Sequence, residues 1–519
     1  MKNIIVDLSN INSIDFNKYT QVYLVGYAKD DIKNLLEVQK NFSNVSLYLP
    51  SSNFDKAYKL INRHIADFVN NNLELLSLFK LCKQDLFDIG MIMVALKNDH
   101  PSVYILTQYN CYLEELQIVN NKKLLKSSLK KINYIRQFAY LSIINLKAML
   151  LFVKSFLIKS MQVDKLLIDY YNKRVLGNFE SDVNSILIDI AGSGKIINFD
   201  GFVLFLKYQR KLLKYSFKYK ILNQTIFKQS YQLLRVISLV NYYNPKVVLG
   251  VLDASVQADI YSIVFKRYKI KFGCYSHGYN YNFRIDYIRI PFDFYFVWSQ
   301  AHLIQIESGQ YIKSDCKFYI TGCPFYKDVN FRQLRDINIE CKYDILVIGE
   351  YYYHNYSSQP FNSIPTIKLA QILSKYKGKY TICIRPRRKD EYYEDMHDIL
   401  KNDALYSLPI DETTETATIM EDIQSSKVVI SMLSGGMQDA LLLHKPVIQA
   451  NLIGIQEPKS FDVNNVVYYA DTVKKLEKTI DNFFKGELSS LDYCKNNGYF
   501  LNKGEFNIEK VKQVISEHI

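Results

Sequence analysis

The sequence has no C-x-x-C pair, and its eight cysteines, at 82, 111, 274, 316, 323, 341, 383 and 494, do not cluster with histidine as a structural zinc site requires. They read as reduced, mostly buried thiols. The apolar run ahead of Asp7 is too short for a signal-peptide core and reads as a first β-strand, so a cytoplasmic location is expected. A clean membrane span is also missing. Residues 139–158 are long enough to be tested as one, but Lys147 and Lys154 lie inside the stretch and basic residues flank it, so a buried or interfacial helix is expected. There is no low-complexity tract and no residue-level repeat. Acidic residues are absent between Phe205 and Gln232, where Lys207, Arg210, Lys211, Lys214, Lys218, Lys220 and Lys228 alternate with Leu, Phe and Tyr.

What is present is enough for more than one core. The chain has 519 residues, 48% of them hydrophobic, with 42 Tyr and 30 Phe, so two or three domains should fold without metals or disulfides. The formal net charge of +13 favours an acidic partner. Lys122, Lys123, Lys126, Lys130, Lys131 and Arg136 form a second basic run just ahead of 139–158, a pairing that resembles a surface leaning on an anionic membrane. Solvated faces of packed helices are the alternative reading.

The opening NIIVDL, QVYLVGY and VSLYLP are strand-like runs separated by polar turns and one helical stretch. Residues of about 110–240 read mostly as helices, broken near Ala191, Gly192, Ser193 and Gly194. The α/β rhythm returns at PKVVLGVLD and continues through IKFGCYSHG, DFYFVWS and FYITG; the polar stretch 332–342 is the expected linker. A second α/β series opens at YDILVIGE and runs through YTICIRP, KVVISM and PVIQA to VVYYADTVKKLEKTIDNFF. Strands alternating with helices in this way need a parallel, doubly wound sheet, because every parallel connection is a crossover. The division expected is 1–335, a Rossmann-like domain with a helical insertion over about 110–240, and 343–519, a second Rossmann-like domain.

In such sheets ligands bind beyond the carboxyl ends of strands. After KVVISM, residues Leu433 to Asp439 form a small-residue turn opening a helix: Ser434, Gly435 and Gly436 can offer a hydroxyl and backbone N–H groups to a phosphate, and Asp439 can reach a ribose or base edge. A plain N-cap with close helix–sheet packing is the alternative. Arg385, Arg387, Arg388 and Lys389 emerge at another strand end, either as phosphate ligands or as a solvated loop. His277, in Ser276-His277-Gly278, stands where a general base would act on an acceptor hydroxyl, with an ordinary loop histidine as the alternative. Asp253 is the competing carboxylate base, or a helix cap. Gly349 and Glu350 end the first strand of the second series, where Gly349 lets backbone approach a ligand, and Thr321-Gly322-Cys323-Pro324 ends the last strand of the first.

Four segments in this order resemble the GT-B glycosyltransferases of bacterial capsule, lipopolysaccharide and teichoic-acid assembly. They are His277-Gly278, the T-G-x-P turn at 321–324, Arg385-Pro386, and Ser434 to Asp439 followed by Lys445-Pro446-Val447-Ile448. The resemblance covers about 240–485. It implies two Rossmann-like domains facing a cleft, the first binding the acceptor and the second a nucleotide-sugar donor. It also implies His277 as catalytic base, Arg385 and Arg387 on the donor phosphates, Ser434, Gly435 and Gly436 at the helix terminus and Asp439 on the nucleoside. Arg387 stands where a histidine often follows the R-P pair, and Gly435 replaces the second residue of a Ser-Ser pair; both departures bear on the donor's identity. The D-x-D triplet that usually holds a divalent metal in the other main glycosyltransferase fold is absent, so no metal or cofactor is expected; direct displacement with His277 as base implies inversion at the donor carbon, with retention as the alternative. The partners expected are a nucleotide-sugar donor, a glycan or lipid-linked acceptor and an anionic membrane surface, with no nucleic acid. Transfer of a polyol phosphate from a CDP-linked donor is the rival enzymatic reading, and a basic membrane- or nucleic-acid-binding scaffold the non-enzymatic one.

Overall fold

Short apolar runs bounded by turns become parallel strands, and the helices between them are the crossovers that parallel pairing requires. The computed structural model describes residues 3–25, 37–38, 40–47, 54–69, 72–81, 103–107, 124–126, 134–169, 176, 185–189, 194–219, 226–252, 257–276, 288–349, 369–385, 418–432, 436–452, 466–491, 493 and 505–519. The architecture is α/β, with three open sheets that are parallel throughout.

The first sheet has the order β3-β2-β1-β4-β5, built from β1 (Asn3–Asp7), β2 (Gln21–Val25), β3 (Val45–Leu47), β4 (Val103–Thr107) and β5 (Leu124–Lys126). Helices α1 (Phe54–Val69) and α2 (Leu73–Leu81) fall between β3 and β4 in the chain.

The second sheet has the order β11-β10-β9-β8-β6-β7. Its strands are β6 (Lys165–Asp169), β7 (Ser185–Asp189), β8 (Val247–Gly250), β9 (Lys271–Tyr275), β10 (Phe294–Val297) and β11 (Lys317–Ile320). All four residues of β8 and of β10 are buried, as strands covered on both faces must be. Helices α3 (Tyr134–Lys154), α4 (Phe199–Tyr219), α5 (Ile226–Tyr243), α6 (Gln257–Arg267) and α7 (Gln300–Ser308) accompany it. Ile144 and Ala148 of α3, Leu233 and Ile237 of α5, and Ile260 and Val264 of α6 meet Ile168, Val248 and Phe272 in one core. Three long helices thus occupy the stretch read as helical, but β6 and β7 interrupt it and extend the sheet beyond β8.

The third sheet, β13-β12-β14-β15-β16, comprises β12 (Tyr343–Ile348), β13 (Ile382–Arg385), β14 (Ser426–Ser431), β15 (Val447–Ala450) and β16 (Tyr468–Ala470). Helix α8 (Phe331–Asp336) precedes it; α9 (Ile419–Gln424), α10 (Gly436–Leu442) and α11 (Val473–Lys485) connect or follow its strands. Leu476 and Ile480, one turn apart on α11, are fully buried, worth about 1.5–3 kcal/mol each. The second and third sheets are parallel α/β sheets, and residues 3–126, which the expected division places in the first domain, form a separate sheet.

The chain clusters into two compact units. One comprises Met1–Ile61, Gln84–Leu129 and Asn330–Lys503; the other Asn62–Lys83, Lys130–Val329 and Gly504–Ile519. The C-terminal helix α12 (Ile508–Ser516) therefore belongs with the six-stranded sheet. Asn507 caps α12 and donates its backbone N–H to Thr321 O at 2.8 Å, and the His518 ring stacks on Phe294 with centroids 4.6 Å apart.

Candidate functional site

In the third sheet the chain leaves β12 toward β13 but leaves β14 toward β15. The two connections diverge, the topology that in open parallel sheets places a ligand crevice beyond the carboxyl ends of the strands, here β12 and β14. Ile348 and Gly349 stand at the carboxyl end of β12, and Ser431 and Met432 at that of β14. Gly436 begins α10 there. A Cβ at this position would lie 2.7 Å from Ile419 Cδ1 and 3.0 Å from Ile348 Cδ1, so only glycine lets the helix start this close to the end of β12 without displacing side chains. Gly349 donates its N–H to Arg385 O at 2.9 Å and continues the β12–β13 pairing past the strand ends. Asp439 is half-buried in the first turn of α10. Ser434 and Gly435, between Met432 and Gly436, lie outside the described residues, as do Glu350 and Arg387.

Arg385 ends β13 and its guanidinium donates to the Asp422 carboxylate. The pair is sheltered, with side-chain exposures of 17% and 3%. Asp422 is placed by its helix: Thr418 caps α9 by accepting from the Glu421 N–H while the Glu421 carboxylate accepts from the Thr418 N–H, a reciprocal capping box. Those backbone and hydroxyl hydrogen bonds from Thr418 hold the Glu421 carboxyl below its ordinary range. Gln449 is fully buried on β15; its Nε2 faces Met432 O at 3.5 Å, and its Oε1 has no hydrogen-bond partner among the described residues. That leaves an acceptor beside the turn into α10. Neither Asp422 nor Gln449 was singled out from the sequence. The T-x-x-E signature announces the cap, but no local pattern pairs a residue with one 37 positions away.

The Lys445-Pro446 segment precedes β15 and so lies at the amino edge of the sheet, away from the crevice. Lys445 Nζ donates to Gln424 O at the end of α9 and to Ser426 O at the start of β14, and burial lowers its pKa. His444, at φ 59, receives a hydrogen bond from Arg335 Nη1 on Nε2 at 2.6 Å and stacks on Tyr493. Arg335 and Gln424, which donates to Leu334 O, tie α8 to this sheet, so the first half of the expected linker is a pinned helix.

The six-stranded sheet has its own divergence point, since β6 leads to β7 on one side and β8 to β9 on the other. Val251 N–H donates to Ile168 O at 3.0 Å and carries the β6–β8 pairing to the crevice edge. Asp253 follows Leu252 there, and His277 follows Ser276 one strand further; both lie outside the described residues. The approach to His277 is held rigidly. Ser276 is buried, its carbonyl accepts from Trp298 Nε1 at 3.1 Å, and its Oγ lies 3.5 Å from His302 Nε2. Trp298 N–H points at His302 Nδ1 (3.3 Å), so Nδ1 accepts and Nε2 carries the hydrogen toward Ser276. Tyr275 OH lies 2.8 Å from both Thr321 Oγ1 and Gly322 O, and burial pushes its pKa far up. Gly322, at φ 83, bridges to Phe506, which gives the T-G-x-P turn a packing role. Asp259, in the first turn of α6, meets Lys80 Nζ at 2.6 Å and Arg289 Nη1 at 3.9 Å, a buried ionic cluster that sequence spacing does not reveal.

No protein-family model matches the chain, and no curated protein matches it in sequence. Among solved structures it is similar to the UDP-GlcNAc 2-epimerase of Methanocaldococcus jannaschii in complex with UDP-GlcNAc and UDP, at 12% identity and a TM-score of 0.41 over 69% of this chain and 100% of that one. The UDP-GlcNAc 2-epimerase of Neisseria meningitidis bound to UDP-GlcNAc gives 15% identity and a TM-score of 0.42 over 69% and 100%. The wall teichoic acid polymerase TagF gives 11% and 0.37 over 75% and 96%. At these values the likeness is one of general α/β layout.

Proposed function

We propose that this chain is a GT-B glycosyltransferase that moves a sugar from a nucleotide-activated donor to a surface-polysaccharide or lipid-linked acceptor, without a metal and with inversion. The observation that carries the reading is the divergence of the chain at β12 and β14, with Gly436 starting a helix in contact with Ile348 beside it. Ser434, Gly435 and Gly436 offer a hydroxyl and N–H groups to the donor phosphates, Arg387 adds a cation, and Gly349 and Glu350 complete the site from β12. Arg385, clamped by Asp422, sets the strand end and adds positive potential. Asp439 takes the nucleoside. His277 removes the proton of the acceptor hydroxyl as its oxygen bonds to the donor carbon and the carbon–oxygen bond to the nucleotide phosphate breaks; the leaving phosphate's charge goes to Arg387 and the helix terminus. Asp253 is the second candidate for the base.

The test is a thermal-shift panel of UDP, GDP, CDP and CMP, followed by turnover with the matching sugar nucleotide. One nucleotide should stabilise the wild type, by about 2.7 kcal/mol at a hundredfold excess over Kd. Gly436→Val, whose melting without ligand is measured alongside, should lose that response, and His277→Ala should keep it while losing turnover. A response to CDP alone, with transfer of a polyol phosphate, would replace the sugar with that donor. No response to any nucleotide overturns the assignment, and full turnover in His277→Ala removes His277 from the base role and passes it to Asp253.

A further inference from the structure

Helix α3 is apolar on both sides. Leu141, Ile144 and Ala148 are buried, whereas Ile143, Leu146, Leu150 and Val153 form an outward row with exposures of 55–61%. The chain beyond the helix continues this surface with Phe156 and Leu157, exposed by 74% and 82%. Helix α4 begins alongside: Phe152 stacks on Phe202 at 5.2 Å between centroids and approaches Phe199 at 6.4 Å. The outward row of α4 starts with Phe199, Val203 and Leu206, exposed by 67%, 47% and 43%, and then turns basic with the exposed Lys207, Arg210 and Lys214.

Eleven of the eighteen exposed large hydrophobic side chains among the described residues lie in 143–206. Soluble chains rarely leave so much apolar surface contiguous without a use for it. The border decides what covers it. Residues 134–163 contain no Asp or Glu, 205–232 contain none, and Asp200 is the one acid in the first two turns of α4. An apolar centre bordered by cations and almost free of carboxylates complements a layer that is apolar inside and anionic at its surface.

We propose that this α3–α4 corner docks the protein onto the surface of an anionic phospholipid bilayer. Phe156 and Leu157 enter the acyl boundary while Lys207, Arg210 and Lys214 meet the headgroup phosphates. The helices lie in the interface: among the described residues no helix is long and apolar enough to cross a membrane. The inference stands apart from the nucleotide site, because none of these residues belongs to it.

The full-length protein is sedimented with vesicles of mixed phosphatidylglycerol and phosphatidylcholine and with vesicles of phosphatidylcholine alone. Binding to the mixed vesicles, weakened by salt, is the expected result. Phe156→Ser with Leu157→Ser should lower the partition coefficient by about tenfold per side chain. Lys207→Gln, Arg210→Gln and Lys214→Gln should lower it by about fivefold per cation. Both variants alter exposed positions and should keep the wild-type melting temperature and nucleotide response. Failure of the wild type to bind anionic vesicles, or equal binding by wild type and both variants, overturns the proposal. So does a stable dimer in light scattering that Phe156→Ser with Leu157→Ser dissociates, since the face would then belong to a second copy of the chain.

Discussion

The Arg385–Asp422 pair yields the sharpest expectation, because the two partners are buried to different degrees. Removing one member of a buried ion pair costs about 3–5 kcal/mol, most of it the charge left behind. Arg385→Met leaves Asp422 in a site where its side chain is 3% exposed, whereas Asp422→Asn leaves a guanidinium that is 17% exposed and can still recruit water. The arginine substitution should therefore sit at the upper end of that range and the aspartate substitution at the lower. At an m value of about 2 kcal/mol/M, the urea midpoint falls by roughly 1.5–2.5 M in the single variants. Arg385→Met with Asp422→Leu should recover much of the loss, since no charge remains buried, so the double variant costs less than either single variant. Far-UV circular dichroism follows the unfolding. Trp298, the one tryptophan of the chain, belongs to the other compact unit and supplies a separate signal. Single variants within about 0.5 kcal/mol of wild type would refute the reasoning and return Arg385 to a pure phosphate-ligand role. So would a shift confined to the Trp298 signal.

Two further outcomes rest on local geometry. Burial first, and the charge of Arg335 second, lower the His444 pKa below its ordinary 6.5. Its stabilising contribution is therefore present above about 6.5 and lost as pH falls through the lower folded value, because the unfolded chain binds that proton more readily. Melting temperature should fall from pH 7 to pH 5 more steeply in wild type than in His444→Asn, whose amide tolerates the left-handed backbone; equally steep profiles would count against the account. At Gly194 a Cβ would lie 1.8 Å from Ser238 O and 2.2 Å from Ser238 C, backbone atoms of α5 that cannot rotate away. Gly194→Ala should cost more than about 3 kcal/mol in urea unfolding, the upper reach of overpacking. Gly378→Ala, with φ 80 and no atom within 4 Å, should cost only the left-handed strain of about 1–2 kcal/mol; similar losses for the two would refute the steric argument.

The order of strands and helices from Val247 onward was legible in the sequence, because burial writes itself locally: apolar runs such as VVLG, FYFV and VIQA are buried along their whole length. The residues just past those strands could be named for the same reason, since a parallel sheet places its ligands beyond its carboxyl ends. The five-residue strands KLLID and SILID were hidden in a background rich in Leu, Ile and Lys, where a short apolar run has no period that separates strand from helix. Partner choice was not legible either. The clamp of Asp422 on Arg385, the ionic cluster of Lys80, Asp259 and Arg289, and the return of Asn507 and His518 to the six-stranded sheet all join positions remote in sequence. The sequence of α3 likewise shows apolar residues all round, and only packing decides that Ile144 and Ala148 face the core while Ile143 and Leu150 face out. Hydrophobic pattern determines which segments must be covered; the tertiary structure alone determines by what, because that choice is a sum of contacts between segments that no local stretch encodes.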